Sequence, residues 1–282
     1  MTLEEWLKQG AAQLRKGPHP DRARRDAELL LQHLLHRERA ALLARSKERM
    51  AAEEAEIYVG LLDRRAAGEP IQYIIGEAEF YSLPFRVTPD VLIPRPETEH
   101  LVEKVLECAA RFDEPSIVDV GCGSGAIAVA LAHNLPQARI TATDVSPRAL
   151  AVAKGNAVRN GVGDRIRFMG GNLLGAVPRE QFDIVASNPP YVPEMDRATL
   201  AVEVRDHEPH IALFAGDDGL EIIRRLVPQA FAVLVPGGAL VMEFGYGQWP
   251  AVSALLAETG FDRIEFVPDL RGIPRIACGT KP

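Results

Sequence analysis

The chain has 282 residues, 47% of them hydrophobic and 25% charged, with a net charge of −7, enough for one Rossmann-sized domain and a smaller one. No apolar run approaches the ~20 residues that span a bilayer, and Met1-Thr2-Leu3-Glu4-Glu5 lacks the basic-then-apolar start of a signal peptide, so a cytoplasmic protein without membrane attachment is expected. Cys108, Cys122 and Cys278 show no paired spacing and the seven histidines form no ligand cluster, so neither a disulfide framework nor a metal site is indicated.

Residues 3–16, 21–36, 38–45 and 51–67 carry apolar positions at helical spacing, as in Ala27, Leu30, Leu31, Leu34 and Leu35. Breaks fall at Gly17-Pro18-His19-Pro20 and Gly68-Glu69-Pro70. This predicts a helical bundle domain over residues 1–70. Its first fifty residues hold eleven Lys/Arg against seven Asp/Glu, so +4 there leaves −11 for the rest. Arg22, Arg24 and Arg25 cluster at one helix start, either as a solvated face or as a docking face for an acidic partner. A β-hairpin connector is expected over 71–93, and a catalytic domain over 94–282.

In that domain a helix is predicted from 97 to about 110, then strands near 117, 140, 166 and 184. A helix over 219–235 leads through Pro236-Gly237-Gly238 into a strand at 239–244. A helix over 249–259 precedes two last strands, 263–267 and 276–278. Strands alternating with helices mean a mainly parallel sheet covered on both faces, the Rossmann-like α/β class. The segment 192–216 is long and irregular, which in a compact domain is usually functional or mobile.

Three motifs carry chemistry. Ile117-Val118-Asp119-Val120 runs into Gly121-Cys122-Gly123-Ser124-Gly125 and then a helix, the first β-α unit of a nucleotide-binding fold. Cys122 reads as a small filler in that turn. Asp144 ends the next strand about twenty residues on, the spacing at which an acidic side chain grips ribose hydroxyls. Gly121-x-Gly123-x-x-Ala126 also fits the dinucleotide fingerprint, so the loop alone leaves a nicotinamide oxidoreductase open. The third motif, Asn188-Pro189-Pro190-Tyr191, follows the strand near 184. Proline fixes φ and pushes its predecessor to extended geometry. The Asn188 amide oxygen and the Pro189 carbonyl can then accept both hydrogens of a planar NH₂ group while Tyr191 packs on its face. No His or Lys stands beside the motif to move a proton.

Together the three motifs resemble an S-adenosylmethionine-dependent methyltransferase of class I acting on a planar amide or exocyclic amine. Gly68-Glu69-Pro70-Ile71-Gln72-Tyr73-Ile74-Ile75-Gly76 and Val91-Leu92-Ile93-Pro94-Arg95-Pro96-Glu97-Thr98-Glu99 narrow the likeness to the HemK/PrmC family, the glutamine methyltransferases of peptide chain release factors. Nearly the whole chain is similar to that family, through Arg271-Gly272-Ile273-Pro274-Arg275.

The resemblance implies that Gly121, Cys122, Gly123, Ser124, Gly125, Asp144, Asn172, Leu173 and Asn188 bind S-adenosylmethionine. Asn172 stands where many relatives have Asp. Arg95, Glu97 or Thr98 would line the cofactor entrance. Asn188, Pro189, Pro190 and Tyr191 would bind and orient the substrate, the Gln of a Gly-Gly-Gln loop in a class-I peptide chain release factor, for methylation at N5. A monomer without stable nucleic-acid binding is expected, since the acidic catalytic part is poorly suited to phosphates. An N6-adenine methyltransferase acting on DNA or RNA uses the same amine geometry and stays open, as does a non-catalytic adaptor built on the helices.

Overall fold

The computed structural model describes residues 1–282. In chain order the elements begin with helices α1 (Leu3–Leu14), α2 (Ala23–Leu35), α3 (Arg39–Ala44), α4 (Ala52–Ala66) and α5 (Ile71–Ile75), then the hairpin β1 (Glu77–Phe80) and β2 (Leu83–Arg86). Next come α6 (Glu99–Ala109), β3 (Ser116–Val120), α7 (Ala126–Asn134), β4 (Arg139–Asp144), α8 (Pro147–Arg159), β5 (Ile166–Gly170) and β6 (Phe182–Ser187). The short helix α9 (Val202–His207) is followed by α10 (Glu221–Val233), β7 (Leu234–Glu243), α11 (Trp249–Thr259), β8 (Asp262–Pro268) and β9 (Pro274–Thr280). The chain divides into two units, residues 1–77 with 200–207, and residues 78–199 with 208–282.

The first unit is a helical bundle around Leu3, Leu14, Ala27, Leu30, Leu31, Tyr58, Leu62 and Ile74. Helix α1 starts in a capping box: the Thr2 hydroxyl accepts from Glu5 N, and the Glu5 carboxylate accepts from Thr2 N, satisfying two donors a helix start leaves open. The Tyr58 hydroxyl donates to the Ala27 carbonyl at 2.8 Å, so the bundle's largest buried ring is polar-satisfied. Arg65 is buried between Asp26 at 2.7 Å and Glu203 at 3.0 Å, which ties the stretch 200–207 to α4. Removing one partner of such a buried pair would leave an uncompensated charge.

The second unit is a seven-stranded sheet in the order β5-β4-β3-β6-β7-β9-β8. Its first five strands run parallel, and β9 pairs antiparallel with both β7 and β8. Strand residues alternate between two cores. Ile117, Ile140, Ile184 and Val241 meet α6, α7 and α8 on one face, while Val118, Val185, Leu240 and Met242 meet α10 and α11 on the other. Burial on both faces is why the strands read as unbroken apolar runs.

Three local features depart from the expected elements. The connector first turns through α5, and its hairpin spans only Glu77–Arg86. The hairpin turn is Tyr81-Ser82, both at positive φ (52° and 59°), a conformation usually marked by Asn-Gly, so no turn signal shows in the sequence. Helix α8, not among the expected elements, starts at a Ser146 cap with Pro147 in its first turn. The segment 192–216 forms short helical turns and is closed on itself: Val192 N donates to Leu213 O at 2.9 Å and Ala215 N to Val192 O at 3.0 Å.

Candidate active site

Strand register builds the site. Val120 faces Thr143 on one side and Ser187 on the other, so the residues that follow these three strands emerge side by side. They are the Gly-rich turn, Asp144 and Asn188. The sheet order reverses between β3 and β6, the switch point at which open α/β sheets bind ligands.

Gly121, Gly123 and Gly125 have φ of +73°, +53° and +81°, a region that favours glycine. A Cβ on Gly121 or Gly123 would meet no protein atom, whereas one on Gly125 would press on Ala153 of α8 at 3.0 Å. The first two glycines therefore keep space open, and the third lets the turn pack on a helix. Asp144 accepts from Gly123 N at 2.9 Å on one carboxylate oxygen and from Ser146 N at 2.8 Å on the other. Each oxygen keeps a free lone pair for hydroxyl donors. Asp119 is fully buried behind the turn; one oxygen accepts from Ala128 N at 3.1 Å and the other has no partner. Burial pushes its carboxyl up to about 7. Burial likewise raises the Cys122 thiol, which leaves it unsuited to act as a nucleophile.

Leu173 has φ +53°, unusual for a branched side chain, and its carbonyl accepts from the Thr143 hydroxyl at 3.4 Å. The Asn172 side-chain oxygen accepts from the Arg225 guanidinium at 3.0 Å.

The tetrapeptide is held by a relay of side chains. The Asn188 amide nitrogen donates to the Thr98 hydroxyl at 3.0 Å, and that hydroxyl donates to Glu243 Oε2 at 2.7 Å. Tyr191 donates its phenolic hydrogen to Glu243 Oε1 at 2.9 Å. Glu243 is only 2% exposed. Burial pushes its carboxyl up, opposed by the hydrogen bonds from Thr98 and Tyr191. Burial, then the carboxylate beside it, raises the Tyr191 phenol far above its ordinary value. Because Thr98 spends its proton on the carboxylate, it can only accept from Asn188. The Asn188 amide nitrogen is thereby engaged, and its oxygen is left as an acceptor. Nearby, Arg95 pairs with buried Glu208 at 2.5 Å, and Glu208 also accepts from Ile93 N at 3.4 Å.

These residues border a cavity of about 310 Å³, in the range of small-molecule sites. Of the residues expected at the site, Gly121, Cys122, Gly123, Ser124, Asp144, Asn172, Leu173, Asn188 and Pro190 line it, with Arg95 and Thr98. Gly125, Pro189, Tyr191 and Glu97 stand outside its lining. Asp119, Glu208, Arg225, Glu243 and Gln248 were not anticipated. Only Asp119 carried a visible signal, an acid inside an otherwise apolar strand.

Residues 5–76 match the PrmC N-terminal domain family, and residues 97–205 match the Methyltransferase small domain family. A release factor glutamine methyltransferase of Koribacter versatilis is 44% identical over 283 residues, covering 100% of this chain and 99% of its own. The chain belongs to the release factor glutamine methyltransferase family. A second relative of that name, from Moorella thermoacetica, is 44% identical over 98% of this chain and 97% of its own. The 16S rRNA N2 G1207 methyltransferase of T. thermophilus, solved with AdoMet and guanosine, shares the fold at a TM-score of 0.54. Its identity is 18%, over 73% of this chain and 50% of its own.

The protein is thus an S-adenosylmethionine-dependent methyltransferase, and the nicotinamide and N6-adenine readings find no support. The residues present fit that cofactor. Two glycines leave the cavity wall bare, the Asp144 carboxylate keeps free lone pairs that can accept from a diol, and an orphaned buried carboxylate oxygen lies behind the turn.

Proposed function

We propose that this enzyme methylates the N5 side-chain nitrogen of the glutamine in the Gly-Gly-Gln loop of a class-I peptide chain release factor. The single observation that carries the reading is the orientation of Asn188, whose nitrogen is spent on Thr98 so that its oxygen remains to accept from a substrate amide.

S-adenosylmethionine, when bound, supplies a methyl group made electrophilic by its sulfonium. The substrate amide is a poor nucleophile because its lone pair is delocalised into the carbonyl. Accepting its two hydrogens on Asn188 Oδ1 and the Pro189 carbonyl raises electron density on nitrogen and restrains its rotation. The pair of prolines holds those two acceptors in extended backbone. With S-adenosylmethionine held by the Gly121–Gly125 turn and Asp144, its methyl would pass to the amide nitrogen as the carbon–sulfur bond breaks, and one amide proton would leave to water from the alkylated nitrogen. No strong base is required. Tyr191 does not serve as one, because its hydroxyl is already a donor to Glu243; its ring braces the tetrapeptide beside the amide plane.

Gly121, Cys122, Gly123, Ser124 and Gly125 form the cofactor turn, with Asp144 at the ribose and Asn172 and Leu173 at the adenine. The helical unit grips the release factor away from the reacting glutamine, and the enzyme works as a cytoplasmic monomer without stable nucleic-acid binding. No helix is long and apolar enough to cross a membrane.

The test is mass spectrometry of release-factor peptides incubated with cofactor, with and without the enzyme. A 14-Da gain on the Gly-Gly-Gln peptide is expected, with none on DNA, rRNA or tRNA. Asn188→Ala should lower kcat by about 10²–10³, the scale of losing one preorganised hydrogen-bonding group, while still binding S-adenosylhomocysteine. Wild-type turnover by that variant would overturn the mechanism.

A further inference from the structure

Gln248 precedes α11 and folds its side chain back on three separate stretches of chain. Its Oε1 accepts from Gly245 N at 2.8 Å, and its Nε2 donates to the Tyr191 carbonyl at 3.0 Å and the Asp218 carbonyl at 3.2 Å. The partners leave no ambiguity in the amide, since a backbone N–H can only donate and a carbonyl can only accept. Both Nε2 hydrogens are used.

The surroundings are cut to this arrangement. Gly219 has φ +73°, and a Cβ there would lie 2.2 Å from the Tyr191 carbonyl oxygen and 2.7 Å from Gln248 Nε2. A Cβ on Gly245 would lie 2.8 Å from Gln248 Oε1 and 3.2 Å from the Tyr191 ring. Two glycines thus admit the amide and the Tyr191 backbone to one another at distances no other residue permits. Tyr191 is consequently held at both ends, by Glu243 at its hydroxyl and by Gln248 at its carbonyl.

We propose that Gln248 is a positioning residue for methyl transfer, fixing the exit of the Asn-Pro-Pro-Tyr tetrapeptide so that the Pro189 carbonyl and Asn188 amide keep their aim. Gln248 does not line the cavity and acts only through Tyr191. The inference rests on the proposed glutamine-methylating reading. Displacing a reacting group by about 1 Å costs on the order of 10² in rate, so a loosened exit should be read in kcat and not in cofactor affinity.

The experiment compares Gln248→Glu and Gln248→Met with the wild type in the full chain. Gln248→Glu keeps the acceptor for Gly245 N but sets an oxygen against two carbonyls, whereas Gln248→Met removes both functions without adding a charge. Expected are a fall in kcat for release-factor methylation of at least about tenfold, greater for Glu than for Met. The KM for release factor and the dissociation constant of S-adenosylhomocysteine should stay within twofold, roughly the limit of a distant site. Gly219→Ala, which reaches the same carbonyl from the other side, should reproduce the split.

A Gln248→Met protein with wild-type kcat would overturn the proposal, as would parallel losses of kcat and S-adenosylhomocysteine binding. A crystal structure of Gln248→Met with the Tyr191 carbonyl unmoved would overturn it without any assay. Failure of the underlying reading has a different signature, a wild-type enzyme that leaves the release-factor glutamine unmethylated.

Discussion

The two sides of the cavity are built by different means. On the proposed cofactor side the structure is mostly backbone: three glycines at positive φ, and peptide N–H groups that orient Asp144. These glycines, N–H groups and Asp144 lie within the stretch 119–146, from the end of β3 through α7 to the turn after β4. On the proposed substrate side the tetrapeptide is short, but what holds it is gathered from far away. Thr98 lies 90 residues from Asn188, Glu243 lies 145 from Thr98, and Gln248 lies 57 from Tyr191. A backbone-built site tolerates side-chain exchange except at its glycines and its acid. A relay-built site fails at any link, because each lost partner strands the next one.

The comparison is broken most forcefully on the cofactor side, at its single orphaned side chain. Asp119 has a carboxyl raised to about 7 in the fold by burial, against about 3.9 when unfolded. A raised folded value means the folded state binds the proton more tightly. The group's stabilisation is therefore complete below about pH 4 and is lost as pH rises through about 7. Three units correspond to about 4 kcal/mol at most. Asp119→Asn keeps an oxygen for Ala128 N and cannot ionise, so its stability relative to the wild type should climb between pH 4 and pH 8. Urea unfolding across that range, without ligand, is the check; parallel curves for the two proteins would refute the assignment.

On the substrate side the weakest link to test is Thr98. Thr98→Val keeps the shape and leaves the Asn188 amide nitrogen and Glu243 Oε2 without their partner. We expect about 2 kcal/mol of lost transition-state stabilisation, roughly thirtyfold in kcat. Stability should also fall by about 1–3 kcal/mol through the stranded buried acceptor. Thr98→Ser should restore most of both, because the hydroxyl is what matters. If Thr98→Val turns over like the wild type while Thr98→Ser is impaired, the methyl group and not the relay carries the role.

This difference also governs what could be read in advance. The catalytic sheet was legible because apolar runs alternate with helical segments, and the cofactor turn because its parts are neighbours in sequence. The hairpin turn Tyr81-Ser82 was not, since positive φ at two side-chain-bearing residues contradicts local preference and persists only through context, including the bond from Tyr81 N to Glu99 Oε1 at 2.8 Å. Asn156 was invisible for the same reason as Glu243. Buried in α8, it bonds both backbone groups of Arg86 and the Ser124 carbonyl, and no spacing rule connects positions 86, 124 and 156. The tetrapeptide named the residues of the proposed clamp but not the direction of the Asn188 amide, which is set by Thr98 giving its one hydroxyl proton to Glu243.

The smallest effect sharpens the comparison at the one place where the cofactor side uses a long-range side-chain pair. Arg225, on α10, donates to the Asn172 oxygen across 53 residues, and both line the cavity. A guanidinium only donates, so Asn172 must turn its oxygen to Arg225 and its amide hydrogens elsewhere. With Asp at this position both oxygens would be acceptors, whereas the Asn172 side chain presents a donor on one face. If S-adenosylhomocysteine is held by this oriented amide, Arg225→Ala should weaken its binding by about 1 kcal/mol, roughly fivefold, since the pair is solvent-exposed. The same loss is expected from Asn172→Ala, and the double variant should be no worse than either single one, a coupling of about 1 kcal/mol. Asn172→Asp should keep the pair as a salt bridge while reversing the donor face. Titration calorimetry on the wild type and the four variants decides it, because additive losses would mean that Arg225 and Asn172 meet the cofactor independently.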